Sequence, residues 1–237
     1  ALRNDSLNEK HAAMWMTPSP VEQLYDLTDD PWETKNLAEN PEYIEQLAEM
    51  RRRLKAEMIS AQDTGLIPEP MFDRLAGPHT IADYVQSDAF DVAAVTDLAW
   101  MASGAKPEDL PELRKAIASE DPVKRYWGAV GMNLLGEEAG SEIERLWSLS
   151  SDPVPSVRFA ALDALISVGE QDEALEKLKK EARKDHRPLD RLIILNIAMR
   201  HEILGEIPVE VAELDGEESW QAAYVANFLD RFDVFGK

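Results

Sequence analysis

The sequence predicts a mainly α-helical protein, in which a small strand-plus-helix segment is followed by a domain of short helical repeats (an α-solenoid). Three observations favour this fold class: apolar residues at helical spacing through most of the chain, an arginine pattern that returns every 33 residues, and a short alternating stretch before the first helix. We therefore expect a strand, a turn and a long helix over 1–65, a linker over 66–82, and repeats over 83–237.

The composition excludes several classes of function. A net charge of −21 disfavours a nucleic-acid partner, because binding to phosphates needs clustered lysine and arginine. No apolar run approaches the roughly 18 residues that span a bilayer, so no membrane partner is expected. Cysteine is absent, which excludes disulfides, thiolate metal sites and cysteine nucleophiles.

The first predicted element is a short strand. Val21, Gln23 and Tyr25 alternate with three other side chains, and this period of two is typical of a strand. The sequence Thr28-Asp29-Asp30-Pro31 follows and predicts a turn, because aspartate bonds to its own backbone and proline fixes φ.

A long amphipathic helix is predicted next. Asn40 is a favourable N-cap, and Pro41 suits the first helical position, where its missing N–H has no cost. An apolar stripe then recurs every three or four residues and ends before Gly65. The stripe consists of Tyr43, Leu47, Met50, Leu54 and Met58.

Residues 22–38 carry a resemblance to a known family. The runs Glu22–Leu27, Asp30–Thr34 and Asn36–Ala38 resemble a segment near the carboxyl end of sulfatases, with Gln23 where that family commonly has glutamate. The matching positions are Leu24, Tyr25, Asp26, Leu27, Asp30, Pro31, Glu33, Asn36 and Leu37. The resemblance implies the last strand of a small carboxy-terminal sheet, followed by a turn and a packing helix.

The catalytic part of such an enzyme is not found in these residues. Sulfatases act through a formylglycine made from cysteine or serine in a C/S-x-P-x-R motif, and the chain has no such motif: Ser151 is followed by Asp152-Pro153-Val154-Pro155. We therefore expect no catalytic, cofactor-binding or metal-binding residue here. The resemblance implies an amino-terminal sulfatase catalytic domain as the partner, with calcium and formylglycine in it, and a periplasmic or secreted location.

A repeat is visible in the second half. Arg125, Arg158 and Arg191 are each followed by similar apolar residues, and the intervals are 158 − 125 = 33 and 191 − 158 = 33. An aspartate precedes each arginine, at Asp121, Asp152 and Asp185. The pattern resembles the short HEAT-type repeat, in which a turn aspartate and a helix arginine form a ladder between units. We therefore predict structural roles for these six residues.

Other stretches are predicted to supply the remaining helices. One helix pair cannot bury its apolar face alone, so neighbouring units stack and share a core. The predicted partner helices are Leu110–Ala118, Ile143–Leu149 and Ala174–Ala182. An earlier unit is expected around Phe90–Met101, and a last, degenerate one at Asp215-Gly216 with Trp220–Leu229.

The histidines carry no predicted chemistry. His11, His79, His186 and His201 are scattered, without an i,i+4 pair or a carboxylate at ligand spacing. We expect them at the surface rather than on a metal ion.

Three functions are compatible with these observations. The first is the non-catalytic carboxy-terminal part of a sulfatase-like hydrolase, whose repeats stabilise it, form a homo-oligomer or flank the substrate. The second is an independent helical-repeat scaffold that binds another protein on its concave face. The third is a repeat-built enzyme resembling bilin lyases, which leaves the segment around 20–70 unexplained.

Overall fold

A computed structural model describes residues 20–184 and 186–207 of the chain. These residues belong to two compact units, which divide between Gln62 and Asp63. Within the described ranges the protein is mainly helical and contains no strand.

The predicted strand over residues 21–26 does not form. A strand needs a neighbour, and the described residues offer none; a loop closes on this stretch instead. Asn36 accepts a bond from Leu24 N–H through its Oδ1 (2.9 Å), and Leu37 N–H donates to Leu24 O (2.7 Å). The prediction missed this because alternation shows which side chains share a face. It does not show whether a second strand is present to pair with the backbone.

The predicted long helix is present as α1 (Ile44–Ser60), entered through a 3₁₀ turn at Pro41–Tyr43. Asn40 caps that turn by accepting a bond from Glu42 N–H. Of the predicted apolar stripe, Leu47 is buried and packs with Leu24 and Leu37. Met50 and Leu54 are instead 50% and 54% exposed, so the stripe is only partly covered within this unit.

The second unit contains α2 to α10 among the described residues. Its shorter helices are α2 (Phe72–Ala76), α3 (Ile81–Val85), α5 (Leu110–Ile117) and α7 (Ile143–Leu149). Its longer helices are α4 (Val92–Ser103), α6 (Pro122–Leu135), α8 (Pro155–Ser167), α9 (Gln171–Ala182) and α10 (Pro188–Arg200). Single 3₁₀ segments occur at Glu69–Met71, Pro107–Asp109, Gly136–Glu142 and Leu204–Glu206.

Residues 66–82, predicted as a linker, belong to the second unit. They contain the Glu69–Met71 turn and α2, and Ile67 and Met71 lie in the main core. Proline misled the prediction because Pro70 lies in the first turn of a helical segment, where it is tolerated. Trp127 also holds this segment, since its Nε1 donates to Leu66 O at 2.8 Å.

The core of the second unit is built mainly from contacts between helices that are one or two apart along the chain. Helix α8 packs against α6, α7, α9 and α10, and α6 also packs against α4 and α5. Asp121 begins α6 by accepting a bond from Val123 N–H at 2.8 Å, with Pro122 in the first turn. The partner helices predicted at Leu110–Ala118 and Ile143–Leu149 are found within one residue of those bounds.

Some predictions concern residues outside the described ranges. Asp185, the Asp215-Gly216 turn, the Trp220–Leu229 unit and His11 all fall there. They stay predictions.

Gly128 allows the close approach of α5 and α6. A Cβ placed on it would lie 2.8 Å from Ile117 Cγ2 and 2.9 Å from the Ile117 backbone nitrogen. The backbone cannot move aside as a flexible side chain can, so a larger residue would force the helices apart.

We expect Gly128→Ala to lower the free energy of unfolding of the 237-residue chain by about 1–3 kcal/mol. Urea unfolding followed by circular dichroism measures it. Gly140→Ala is the matched control, because a Cβ there meets nothing within 4 Å. Equal stability of both variants would contradict the tight α5–α6 contact.

Candidate functional site

Arg125, Arg158 and Arg191 each make the same kind of contact. Each guanidinium folds back and donates to a backbone oxygen in the turn that precedes its own helix. Arg125 Nη1 donates to Glu120 O at 2.8 Å, Arg158 Nη1 to Asp152 O at 2.8 Å, and Arg191 Nε to His186 O at 3.0 Å. Each turn is thereby fastened to the helix that follows it.

Arg125 also joins the start of α6 to the turn before α8. Its Nε and Nη2 donate to Asp152 Oδ2 and Oδ1 at 2.7 and 3.1 Å, a two-pronged pair. The side chains are 14% and 6% exposed, so water screens the pair weakly. Asp152 Oδ1 additionally accepts from Val154 N–H, which shapes the turn before α8. Asp121 caps the start of α6 by accepting a hydrogen bond from Val123 N–H.

Arg158 enters a different cluster of charged side chains. Its Nη2 lies 3.4 Å from Glu181 Oε2, and Lys184 pairs with the other oxygen of the same carboxylate. His186 Nε2 lies 3.4 Å from Glu181 Oε2, and its ring meets Phe159 edge-on. Burial lowers the pKa of His186, while Glu181 and Asp190 oppose that shift. The prediction of a surface histidine is wrong for His186, because its ring lies against Phe159 of α8 and its side chain is only 6% exposed.

Glu142 is a second buried carboxylate held by arginines. Its side chain has no exposed area, and it accepts from Arg114 Nε at 2.9 Å and from Arg145 Nη1 at 3.0 Å. The hydrogen bond from Arg114 lowers the pKa of Glu142, against the opposing effect of burial. The group therefore stays ionised and ties α5 to the start of α7.

Asp163 organises the most open of the polar clusters. It lies in the middle of α8, is 6% exposed, and accepts bonds from both flanking helices. Asn133 Nδ2 donates to its Oδ2 at 2.7 Å, and Arg200 Nη1 pairs with the same oxygen. His201 Nε2 lies 2.7 Å from Oδ1, so this histidine is also not at the free surface that was predicted.

These residues line a groove of about 300 Å³ between α6 and α10, with α8 as its floor. We call it the Arg200 groove, and its lining includes Tyr126, Asn133, Ala160, Asp163, Asn196 and Arg200. The pKa of Tyr126 is raised, mainly by burial and to a smaller extent by the negative charge of Asp163. Its hydroxyl therefore stays protonated and can donate a hydrogen bond. Amide, phenol and guanidinium groups thus line this groove together with the apolar Val130, Ala160 and Ile193.

The residues of the sulfatase-like segment close a compact loop in the first unit. Asp30 accepts from Thr34 N–H and Lys35 N–H, both at 2.7 Å. Asn36 accepts from Leu24 N–H and donates to Glu22 O at 3.0 Å. Asp26 Oδ1 accepts from Thr28 N–H at 3.0 Å. Leu24 and Leu37 are buried, Tyr25 is half-buried, and Leu27, Pro31 and Glu33 are exposed.

The sequence analysis did not single out Asp163, Arg200, Asn133 or Asn196. One signal was present: Asp163 interrupts a run of apolar side chains from Phe159 to Ile166, and a charge in such a run is seldom buried without partners. Within residues 20–184 and 186–207 no group of three His, Asp or Glu side chains is placed to hold a metal ion. In the same ranges, no helix is both long and apolar enough to cross a membrane.

Comparison with known proteins gives one relevant relative. The chain is similar to an ulvan-active sulfatase of Formosa agariphila, with 40% identity over 63 residues. The match takes in 27% of this chain and 11% of the sulfatase, so the chain spans a small part of that relative's length. No family model and no solved structure matches the chain.

A double-mutant cycle on Arg125→Ala and Asp152→Ala measures the interaction energy of this ion pair. Because both side chains are largely buried, we expect a coupling energy of about 1–3 kcal/mol in urea unfolding. The same cycle on the exposed pair Glu49 and Arg53 should give less than about 0.5 kcal/mol. Similar coupling energies at both pairs would contradict a special role for Arg125.

Proposed function

We propose that this chain is the carboxy-terminal, non-catalytic part of a sulfatase-like hydrolase. The 40% identity over 63 residues to the ulvan-active sulfatase is the observation that carries the proposal. The reaction itself, hydrolysis of a sulfate ester with formylglycine and calcium, would take place in an amino-terminal domain. That domain would be the first partner of the residues described above.

The closed loop of the first unit supports this proposal. Asp26, Asp30 and Asn36 are positions of the sulfatase-like segment, and each makes side-chain bonds that hold the loop between Glu22 and Ala38. A loop with such specific polar requirements explains why these residue types belong together in the segment.

Residues 22–26 form no strand in the described structure, but their second backbone edge supports pairing with a sheet of the catalytic domain. The bonds that close the loop use backbone groups of Glu22, Leu24 and Asp26. In an extended chain alternate residues direct their backbone groups to opposite edges. The backbone groups of Gln23 and Tyr25 then form the other edge, and no bond joins them to another described residue. A sheet edge in the missing domain would supply their partners.

Exposed apolar side chains in the first unit support the same interface. Met50 and Leu54 lie on α1, and Trp32 is 85% exposed in the loop. Several large apolar side chains exposed on a small unit favour an interaction surface. A catalytic domain packed on α1 would bury the rest of the predicted apolar stripe.

For the second unit we propose short HEAT-like repeats that act as a scaffold, with homo-oligomer formation as a further role. The 33-residue spacing of Arg125, Arg158 and Arg191 supports this, together with the contact that each makes with the turn before it. The ion pair of Arg125 and Asp152 would be one step of an arginine–aspartate ladder between successive repeats.

The reading frame upstream of Ala1 provides the decisive test. We expect it to encode a longer protein with a C/S-x-P-x-R motif. The extended protein should hydrolyse p-nitrophenyl sulfate or release sulfate from ulvan, whereas the purified 237-residue chain should do neither. Calcium-dependent turnover by the 237-residue chain alone would contradict the proposal, as would an upstream frame without the motif.

Leu54→Lys tests the α1 interface. In the 237-residue chain Leu54 is already exposed, so the melting temperature should not change. In the extended protein the variant should lower the free energy of unfolding by about 2 kcal/mol or more, because a charge replaces buried apolar surface. Ala56→Lys, with the same charge change at an exposed position, is the control. Equal effects of the two variants in the extended protein would reject this interface.

A further inference from the structure

We propose that the Arg200 groove binds one sugar residue that carries an oxyanion, either a sulfate ester or a carboxylate. This inference deepens the proposed function, on which its choice of a saccharide rests. It assigns the second unit a substrate-binding task in addition to its scaffold role.

Arg200 supplies the group that would recognise the anion. Its Nη1 is held by Asp163, whose own position is fixed by Asn133 and His201. The side chain remains 53% exposed, and neither Nε nor Nη2 bonds to another described residue. A guanidinium fixed at one nitrogen presents its remaining donors in a set direction, which suits an oxyanion with two acceptor oxygens.

The other walls of the groove match a sugar ring. Asn196 is exposed and offers both a donor and an acceptor, as vicinal hydroxyl groups require. The Tyr126 hydroxyl, kept protonated by burial and by Asp163, adds a donor. Ala160, Val130 and Ile193 provide an apolar surface for the C–H face of the ring. The volume of about 300 Å³ is at the small end of ligand pockets, as suits one sugar residue.

The charge of the protein limits how the ligand is held. With a net charge of −21, the surface repels a polyanion that lies along it. Contact is therefore expected at a single anionic group. Asp163 does not repel that group strongly, because its own charge is already shared among Arg200, Asn133 and His201.

Calorimetric titration of the 237-residue chain with glucose 6-sulfate, glucuronate and glucose tests the proposal. We expect at least one anionic sugar to bind about tenfold more tightly than glucose. This ratio is the gain in affinity that one charge-assisted hydrogen bond gives. Arg200→Gln should abolish this preference. Asn196→Ala, which leaves the Asp163 cluster intact, should weaken binding of all sugars that bind. Arg183→Gln, at the exposed residue that follows α9, should change nothing.

Each outcome has a definite meaning. Preference for the sulfate or for the carboxylate supports the proposal and identifies the anion. Unchanged preference in Arg200→Gln, with its melting temperature retained, overturns it, and so does the absence of millimolar binding by either anionic sugar. Inorganic sulfate that binds as tightly as glucose 6-sulfate would overturn the saccharide part. None of these results alters the upstream-frame test, so failure here is separable from failure of the proposed function.

Discussion

The second unit depends on arginines that hold turns to helices. Short loops leave several backbone oxygens near the core, and an unpaired oxygen there is costly. Arg125, Arg158 and Arg191 satisfy such oxygens from the helix that follows each turn. The guanidinium has five donors, so the same side chain can also reach a second turn, as Arg125 does at Asp152. Arg125 thus holds both the turn before its own helix and the turn before α8.

Buried acidic residues in the second unit are also held by cationic side chains. The chain carries far more carboxylates than cations, yet those that are buried lie beside arginine or lysine. Glu142 lies between Arg114 and Arg145, and Glu181 lies beside Arg158 and Lys184. Because an isolated buried charge would take up a proton or destabilise the fold, the scarce cations are concentrated where acids are buried. The excess negative charge remains on the exposed surface.

Much of the helical architecture was predictable, since it depends on local signals. Asp121 with Pro122 fixes the start of α6, and the apolar spacing of 110–118 and 143–149 predicts α5 and α7. Features that depend on distant partners were not predictable. Residues 21–26 have the alternation of a strand but no neighbour in the described ranges, and Pro70 begins a helical turn where a linker was expected. Burial of His186 likewise depends on its contact with Phe159, which is distant in the sequence.

In the proposed repeat, the Arg200 groove lies where equivalent positions carry different side chains. At a spacing of 33, Val130, Asp163 and Asn196 are equivalent positions, as are Leu134, Ser167 and Arg200. A strict repeat would place similar side chains at each position and give a uniform surface. At these positions the polarity changes from α6 to α10. Comparing equivalent positions of the proposed repeat therefore points to the groove where motif matching does not, because a ligand site needs an asymmetry that a uniform scaffold lacks.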